Sequence, residues 1–277
     1  MWAEKSWQDY KLLDTSDGER LEKWGKYTLV RPDPQVIWKT PKTDPRWKTA
    51  HATYHRSKSG GGNWEYFRSL PDGWTVDYKN LKFNVNPTGF KHTGLFPEQA
   101  VNWDWFSELI RNAGRPIKVL NLFAYTGGAT LAAAASGAEV THVDSVKQVV
   151  TWSRENMENS GLDGVRWIVE DALKFVHREV RRGNRYDGII LDPPAYGRGA
   201  NGEKWILEEN IVEMLECCAK LLDEKLGFLV LNLYSMGLSS TLARTALRQA
   251  FGDTGTEEAG ELYFKDRADK ELPLGTF

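Results

Sequence analysis

The chain has 277 residues, 41% hydrophobic and 27% charged, with 36 Lys/Arg against 38 Asp/Glu for a formal net charge of −2. These values are ordinary for a globular chain and exclude any global pull toward nucleic acid or an anionic membrane. The length lies near the upper limit for one core, so a large domain with a smaller appendage is expected.

The charge is mildly asymmetric: residues 1–100 hold 16 Lys/Arg against 12 Asp/Glu, and the remainder is acidic. The only cysteines, Cys217 and Cys218, are adjacent in an apolar helical pattern. That arrangement excludes a disulfide framework or a cysteine metal site and fits a reducing compartment. No apolar run approaches the ~18 residues of a membrane span. The start, "MWAEKSWQDYK", lacks the apolar core of a signal peptide. A cytoplasmic protein is expected.

Residues 1–90 read as a small β-rich domain. "TSDGER" signals a turn before "KYTLVRP", and "WTVDYKNLKFNV" alternates around Lys79-Asn80 as a hairpin does. Between them, "PKTDPRWKTAHATYHRSKSGGGNW" reads as a mobile loop, from its prolines and the Gly60-Gly61-Gly62 triplet. His51 and His55 lie four apart without a third ligand, so no metal is expected. Residues 97–113 predict a helix that begins at its proline, with Ala100, Trp103, Phe106 and Ile110 on one side.

From residue 116 strand and helix alternate strictly. "IKVLNLFA", "AEVTHVD", "VRWIVED", "YDGIILD" and "LGFLVLNLYS" are near-continuous apolar strands, with a helix after each. That pattern means a parallel, doubly wound α/β sheet covered on both faces. The chain closes differently, because "GELYFKDRADKELPLGTF" reads as two strands around a polar turn, an antiparallel hairpin. Five parallel strands and two closing ones make a mostly parallel seven-stranded sheet over residues 91–277.

Ligands of such sheets bind at the carboxyl ends of the strands. Strand one ends in "NLFAYTGGATL", where Gly127 and Gly128 allow close backbone approach at a helix N-terminus. The spacing is neither G-x-G-x-x-G nor a phosphate loop. Strand two ends at Asp144, which suits two ribose hydroxyls, and strand three at Asp171, which suits an adenine edge. Two acids with a tight glycine turn fit an uncharged adenosine bearing a cationic centre, S-adenosylmethionine. Taken singly, Gly127-Gly128 also reads as a plain turn, Asp171 as a helix N-cap, and Asp144-Ser145 as another. Their succession at three strand ends favours the ligand.

Strand four ends in "LDPPAYGRG". Pro193 and Pro194 remove two N–H donors and fix the direction of carbonyls, which with Asp192 accept the hydrogens of an amine. Tyr196 clamps a flat group. Positioning supplies much of the acceleration for methyl transfer from a sulfonium. Asp192, Pro193, Pro194 and Tyr196 are therefore the expected catalytic set, although a proline-terminated strand with a solvated acid is the plainer reading.

"VLNLFAYTGG", "VDSVKQVVTWSRENMENSGL", "EDALKFV" and "LDPPAYGRG", in this order, resemble the class I S-adenosylmethionine-dependent rRNA methyltransferases. The branch is that of the bacterial large-subunit cytosine carbon-5 and guanine nitrogen-7 enzymes. The resemblance covers about residues 85–277 and implies a Rossmann-like fold. It implies cofactor contacts at Phe123, Ala124, Tyr125, Thr126, Gly127, Gly128, Asp144, Asp171 and Asp192, with Gln99 nearby. Asn121, Ser145 and Ala172 flank these and join the expected cofactor set. "GFKHTGLFPEQ" matches the branch's Lys-Thr-Gly…Asp-Gln-Arg segment in part, with His92, Glu98 and Ala100 departing from it.

Members that methylate cytosine carbon-5 use a cysteine at the end of strand five, where this chain reads "LVLNLYSMGLSS". A nitrogen acceptor on RNA is therefore expected. The family's usual preceding RNA-binding domain is not matched by residues 1–90. Residues 38–58, with Lys39, Lys42, Arg46, Lys48, Arg56 and Lys58 interleaved with Trp38, Trp47 and Tyr54, suit looped RNA. The same stretch also reads as a basic surface loop whose aromatics pack on the core. A methyltransferase for a protein side chain or small molecule is the second hypothesis. A nicotinamide oxidoreductase is disfavoured by the glycine spacing, and a non-catalytic RNA-binding protein by the three acids.

Overall fold

The structure, a computed structural model, describes residues 2–3, 6–57, 61–89, 91–199, 202–224, 227–233, 239–253 and 255–277. The chain forms two compact units, one of Met1–Trp2, Gln99–Leu262 and Gly275–Phe277, the other of Ala3–Glu98 with Tyr263–Leu274.

In the N-terminal unit, strands Tyr10–Ser16, Glu19–Trp24, Tyr27–Pro32, Ala52–Arg56 and Gly62–Tyr66 form one sheet in chain order. Its first turn is Asp17-Gly18, both left-handed. A separate hairpin pairs Trp74–Tyr78 with Leu81–Val85 around Lys79-Asn80, as the alternation predicts. The stretch 41–64 is not the loop its prolines suggest. It holds a short helix, Arg46–Thr49, and two strands that pair antiparallel. Ala52 and Tyr54 alternate into the core there and outweigh the turn signals; residues 58–60 lie outside the described residues.

This unit buries charge. Arg31 grips the fully buried Glu22 with two N–H donors, at 2.6 and 2.8 Å, and the Tyr10 hydroxyl donates to it at 2.8 Å. Burial alone would raise the Glu22 carboxyl, but the Arg20 and Arg31 guanidinium groups bring it down to about 2. The tip of the closing hairpin is held in the same way: Lys270 Nζ donates to Asp14 at 2.8 Å and the Thr15 hydroxyl to Asp266 at 2.7 Å.

The second unit carries the parallel sheet: β1 (Lys118–Leu122), β2 (Glu139–Asp144), β3 (Arg166–Val169), β4 (Gly188–Leu191) and β5 (Phe228–Leu231). Their order is β3-β2-β1-β4-β5, all parallel, a Rossmann-like sheet with helices between successive strands. Leu120, Leu122, Val143, Ile189 and Leu191 are buried against Phe175, Val176, Met214 and Leu215 of the flanking helices. Each such side chain contributes about 2 kcal/mol by leaving water. Leu233, just past β5, exchanges both backbone hydrogen bonds with Thr276 of the last strand, at 2.8 and 3.1 Å. The expected seven strands do not form one sheet: five are parallel, and the closing pair, Glu261–Lys265 and Glu271–Thr276, forms a separate three-stranded sheet with Trp2–Ala3. Among the described residues no helix is long and apolar enough to cross a membrane.

Candidate functional site

The register brings Leu122 level with Val143 and Leu191, Asp144 with Val169, and Leu191 with Leu231. Phe123, Asp144, Asp171, Asp192 and Asn232 therefore follow successive strand ends along one rim. Parallel strands are what put them there, because each chain segment leaves the sheet on the same side.

The loop after β1 is strained. Phe123 and Tyr125 are left-handed at φ +54° and +48°, although neither is glycine. Each such conformation costs on the order of 1–3 kcal/mol and is characteristic of functional loops. Gly127 caps the following helix, Gly128–Ala135, at φ +87°. A Cβ on Gly127 would lie 2.0 Å from the Ser153 hydroxyl, and one on Gly128 2.4 Å from the Trp103 ring. Neighbouring protein atoms therefore already require both glycines. Ala124 and Thr126 are buried, and the Thr126 carbonyl accepts from Asn156. Asn121 is buried as well, and its amide donates to the Thr130 hydroxyl at 2.9 Å, which also contacts the His142 ring at 2.9 Å. Asn121 thus supports the loop from below.

Asp144 joins two elements. Its carboxylate accepts from the Tyr125 N–H and the Val146 N–H, both at 2.9 Å. Burial pushes this carboxyl above its ordinary value, against the pull of the Val146, Tyr125 and Ser145 N–H groups. Asp171 caps the helix Ala172–Arg182 by accepting from the Lys174 N–H at 2.9 Å. The N-cap reading of Asp171 is thus realised, with Ala172 buried behind it. Two apolar side chains that pattern reading passed over, Val146 and Val169, stand 41% and 47% exposed beside these acids.

At the end of β4, Asp192 is half-buried, Pro193 buried and Pro194 exposed. The Pro194 carbonyl accepts from the Trp205 indole at 2.7 Å, and the Ala195 carbonyl from the Leu207 N–H at 3.0 Å. Each of these two carbonyls spends one of its two lone pairs within the protein. Trp205 also meets Phe123, ring centroids 4.7 Å apart, and so ties the β1 and β4 loops together. Tyr196 begins a short hairpin, Tyr196–Arg198 with Lys204–Ile206. Its ring is half exposed and its hydroxyl accepts from Arg198 at 2.8 Å.

Gln99 lies beside α1 (Ala100–Asn112), at its N-cap, and is 7% exposed. Its Oε1 accepts from Asn102 at 3.0 Å and Asn232 at 2.8 Å. Among the described residues its Nε2 has no partner. A buried donor left unmade costs about 1–3 kcal/mol, which a bound acceptor would recover. Asn102 and Asn232, which complete this amide set, were missed by sequence reading: they lie 130 positions apart and neither belongs to a motif.

In the N-terminal unit the expected stacking surface is not formed. The Trp38 indole donates to Thr15, Trp47 donates to Asp14 at 2.7 Å, and Tyr54 is buried. Lys42 and Arg46 pair with Glu19 and Asp44. Tyr54 is core, while Trp38 and Trp47 are half-buried with their indole N–H groups on internal acceptors; Lys58 lies outside the described residues. His55 pairs with Glu65 at 2.7 Å. Among the described residues no group of three His, Cys, Asp or Glu is placed to hold a metal. Cys217 and Cys218 are buried, and burial raises both thiols.

A sequence model described as S-adenosylmethionine-dependent methyltransferase matches residues 42–229. The chain belongs to that family. A solved S-adenosylmethionine-dependent methyltransferase from Agrobacterium tumefaciens is 38% identical, aligns over 99% of this chain and 90% of its own, and superposes with a TM-score of 0.94. A methyltransferase from Streptococcus mutans, 20% identical over 98% of this chain and 75% of its own, shares the fold at a TM-score of 0.72. The "Ribosomal RNA large subunit methyltransferase K/L" of Shewanella frigidimarina is 34% identical over 152 residues, 53% of this chain. This methyltransferase-family chain spans only 20% of that relative's length. The cofactor named by the family fits the rim, which offers a strained loop, an acid at the β2 end and a buried donor without a partner among the described residues.

Proposed function

We propose that this chain methylates a nitrogen atom of RNA in the cytoplasm, with S-adenosylmethionine as donor. The observation that carries the reading is the single rim on which Asp144, Asp171 and Asp192 follow three strand ends, beside the left-handed Phe123–Gly127 loop. When bound, the cofactor supplies an electrophilic methyl on a sulfonium. Asp144 takes the ribose hydroxyls with the oxygen capacity left beyond two backbone N–H groups. Asp171 and the N–H groups at the start of its helix read the adenine edge, and Val146 and Val169 cover its faces.

At the acceptor, Asp192 and the adjoining backbone hold the nitrogen in line with the methyl, and Tyr196 stacks on the base. As the new N–C bond forms and the S–C bond breaks, Asp192 accepts the proton the nitrogen loses. In-line positioning of this kind provides most of the rate. The described part of the β5 end brings Asn232 to this rim, an amide with no nucleophilic character, which favours nitrogen over a ring carbon; residues 234–238 lie outside the described residues. The name of the Shewanella relative supports RNA as the substrate class. Lys39, Lys48 and Arg56 remain exposed for phosphate contact, without the stacking first expected of their neighbours.

Mass spectrometry of RNA nucleosides from cells with and without the protein tests this. One N-methylated nucleoside should disappear with the protein. Loss of 5-methylcytosine instead, or an unchanged RNA profile, would refute it.

A further inference from the structure

The short hairpin after β4 sets like charge against like. Tyr196–Arg198 and Lys204–Ile206 run antiparallel, with Tyr196 opposite Ile206, Gly197 opposite Trp205 and Arg198 opposite Lys204. Side chains alternate between the two faces of a strand, and directly opposed residues share a face. One face therefore carries Gly197 and Trp205. Trp205 is 4% exposed, packed on the Phe123 ring and bonded to the Pro194 carbonyl, so that face is turned inward. The other face carries Tyr196, Arg198, Lys204 and Ile206, and the first three are exposed.

Two cations directly opposed on a ribbon repel each other. Among the described residues neither meets an acid: Arg198 donates through Nε to the neutral Tyr196 hydroxyl at 2.8 Å, and Lys204 has no hydrogen-bond or ion-pair partner. The neighbouring acid, Glu203, is taken by Lys174 at 2.5 Å. The ribbon is held at both ends, because the Ala195 carbonyl accepts from the Leu207 N–H at 3.0 Å and the Gly199 N–H donates to the Glu203 carbonyl at 2.9 Å. Ala200 and Asn201 lie outside the described residues. An anchored ribbon with two unneutralised cations side by side, and an aromatic ring further along the same face, fits one anion and one flat group together. A nucleotide presents both, as phosphate and base. We propose that Arg198 and Lys204 clamp a backbone phosphate of the RNA strand whose base stacks on Tyr196. This rests on the RNA reading above and sets a phosphate contact beside the acceptor, within the sheet unit. The Arg198 N–H groups left over from Tyr196 and the Lys204 ammonium supply donors to the phosphate oxygens.

Methyl transfer by the full chain from labelled S-adenosylmethionine to protein-free ribosomal RNA, taken from cells lacking this protein, tests it. Arg198→Gln with Lys204→Gln should raise the KM for RNA about tenfold, with kcat changed less than about threefold. The slope of log kcat/KM against log salt should become shallower by about 0.7, the value for one phosphate on a single strand. Arg198→Lys with Lys204→Arg keeps both charges and should retain the wild-type slope. Affinity for S-adenosylhomocysteine, by calorimetry, should be unchanged in both pairs, because the inner face of the hairpin is untouched. As a control, Arg181→Gln with Lys220→Gln removes two exposed charges near helix C-termini, away from the rim, and should leave KM unchanged. An unchanged KM and slope in the first pair, or an equal loss in the control pair, overturns the proposal while RNA methylation itself stands. So does a nucleoside monophosphate that accepts the methyl as efficiently as the RNA, which would make the site one for a free phosphate ester. A wild type that methylates no RNA would sink the RNA reading itself, and the proposal with it.

Discussion

The two units bury polarity in different forms. The N-terminal unit buries ions that pair, Glu22 with Arg31 and Arg20 with Asp33, and also Trp24 Nε1, Asn86 Oδ1 and Thr93 Oγ1, which have no partner among the described residues. The sheet unit buries the amides of Gln99, Asn102, Asn121 and Asn232 with His142 and Glu179, and Gln99 Nε2 and His142 Nε2 lack partners among the described residues. The sheet unit also carries the two left-handed residues that precede a helix cap. A paired ion set fixes a fold. Unspent donors, strained backbone and an acid raised by burial cost stability, and a bound ligand offsets that cost. The strand-end acids beside the left-handed Phe123 and Tyr125 mark the candidate site in the second unit.

The largest expected effect breaks the paired set. Glu22→Gln leaves Arg31 buried without its counter-charge and should lower stability by about 3–5 kcal/mol in urea unfolding. Binding of S-adenosylhomocysteine to the folded remainder should be little changed. Asp144→Ala sharpens the other side of the comparison. It removes the acceptor of the Tyr125 and Val146 N–H groups together with the proposed ribose contact, so cofactor affinity should fall about 100-fold, roughly 3 kcal/mol, by calorimetry.

Acid should weaken both units through different groups. Burial, with Arg31 next, holds His92 at about 3 in the N-terminal unit, and burial, with Arg154 next, holds His142 at about 3 in the sheet unit. Each stays neutral in the fold while the unfolded chain takes up its proton near 6.5. Stability should therefore drop as pH falls below about 6.5, by up to ~1.4 kcal/mol per pH unit per histidine, until about 3. Below 4.5 Glu22 adds its own loss, since its folded carboxyl titrates only near 2. Replacing His142 by leucine should flatten the slope between pH 6.5 and 4.5; an unchanged slope would show that His142 does not carry it. The smallest effect is at Trp205. Trp205→Phe loses the bond to the Pro194 carbonyl, worth about 1 kcal/mol, and should slow turnover about fivefold with cofactor affinity retained.

Much of the sheet unit was legible in the sequence because its signals are local. Five apolar runs, four of them ending in a glycine turn, an acid or a proline pair, specify parallel strands and the rim where they stop. The N-terminal unit was less legible. Around Trp38, Trp47 and Tyr54 the prolines and glycines suggest a loop, while burial of Ala52 and Tyr54 and the indole hydrogen bonds of the two tryptophans decide the structure. The amide set was not legible at all. Gln99 and Asn232 are 133 positions apart, and only the strand order makes them neighbours. Phe123 and Tyr125 look like ordinary aromatics in a chain string, and their left-handed backbone emerges only in three dimensions.

Hydrogen–deuterium exchange on the intact chain, with and without S-adenosylhomocysteine, tests the contrast most directly. Protection should appear at residues 99–102, 123–128, 144–146 and 171–174, with no change across the Tyr10–Pro32 strands. Protection confined to the N-terminal sheet, or none at the rim, would contradict the account.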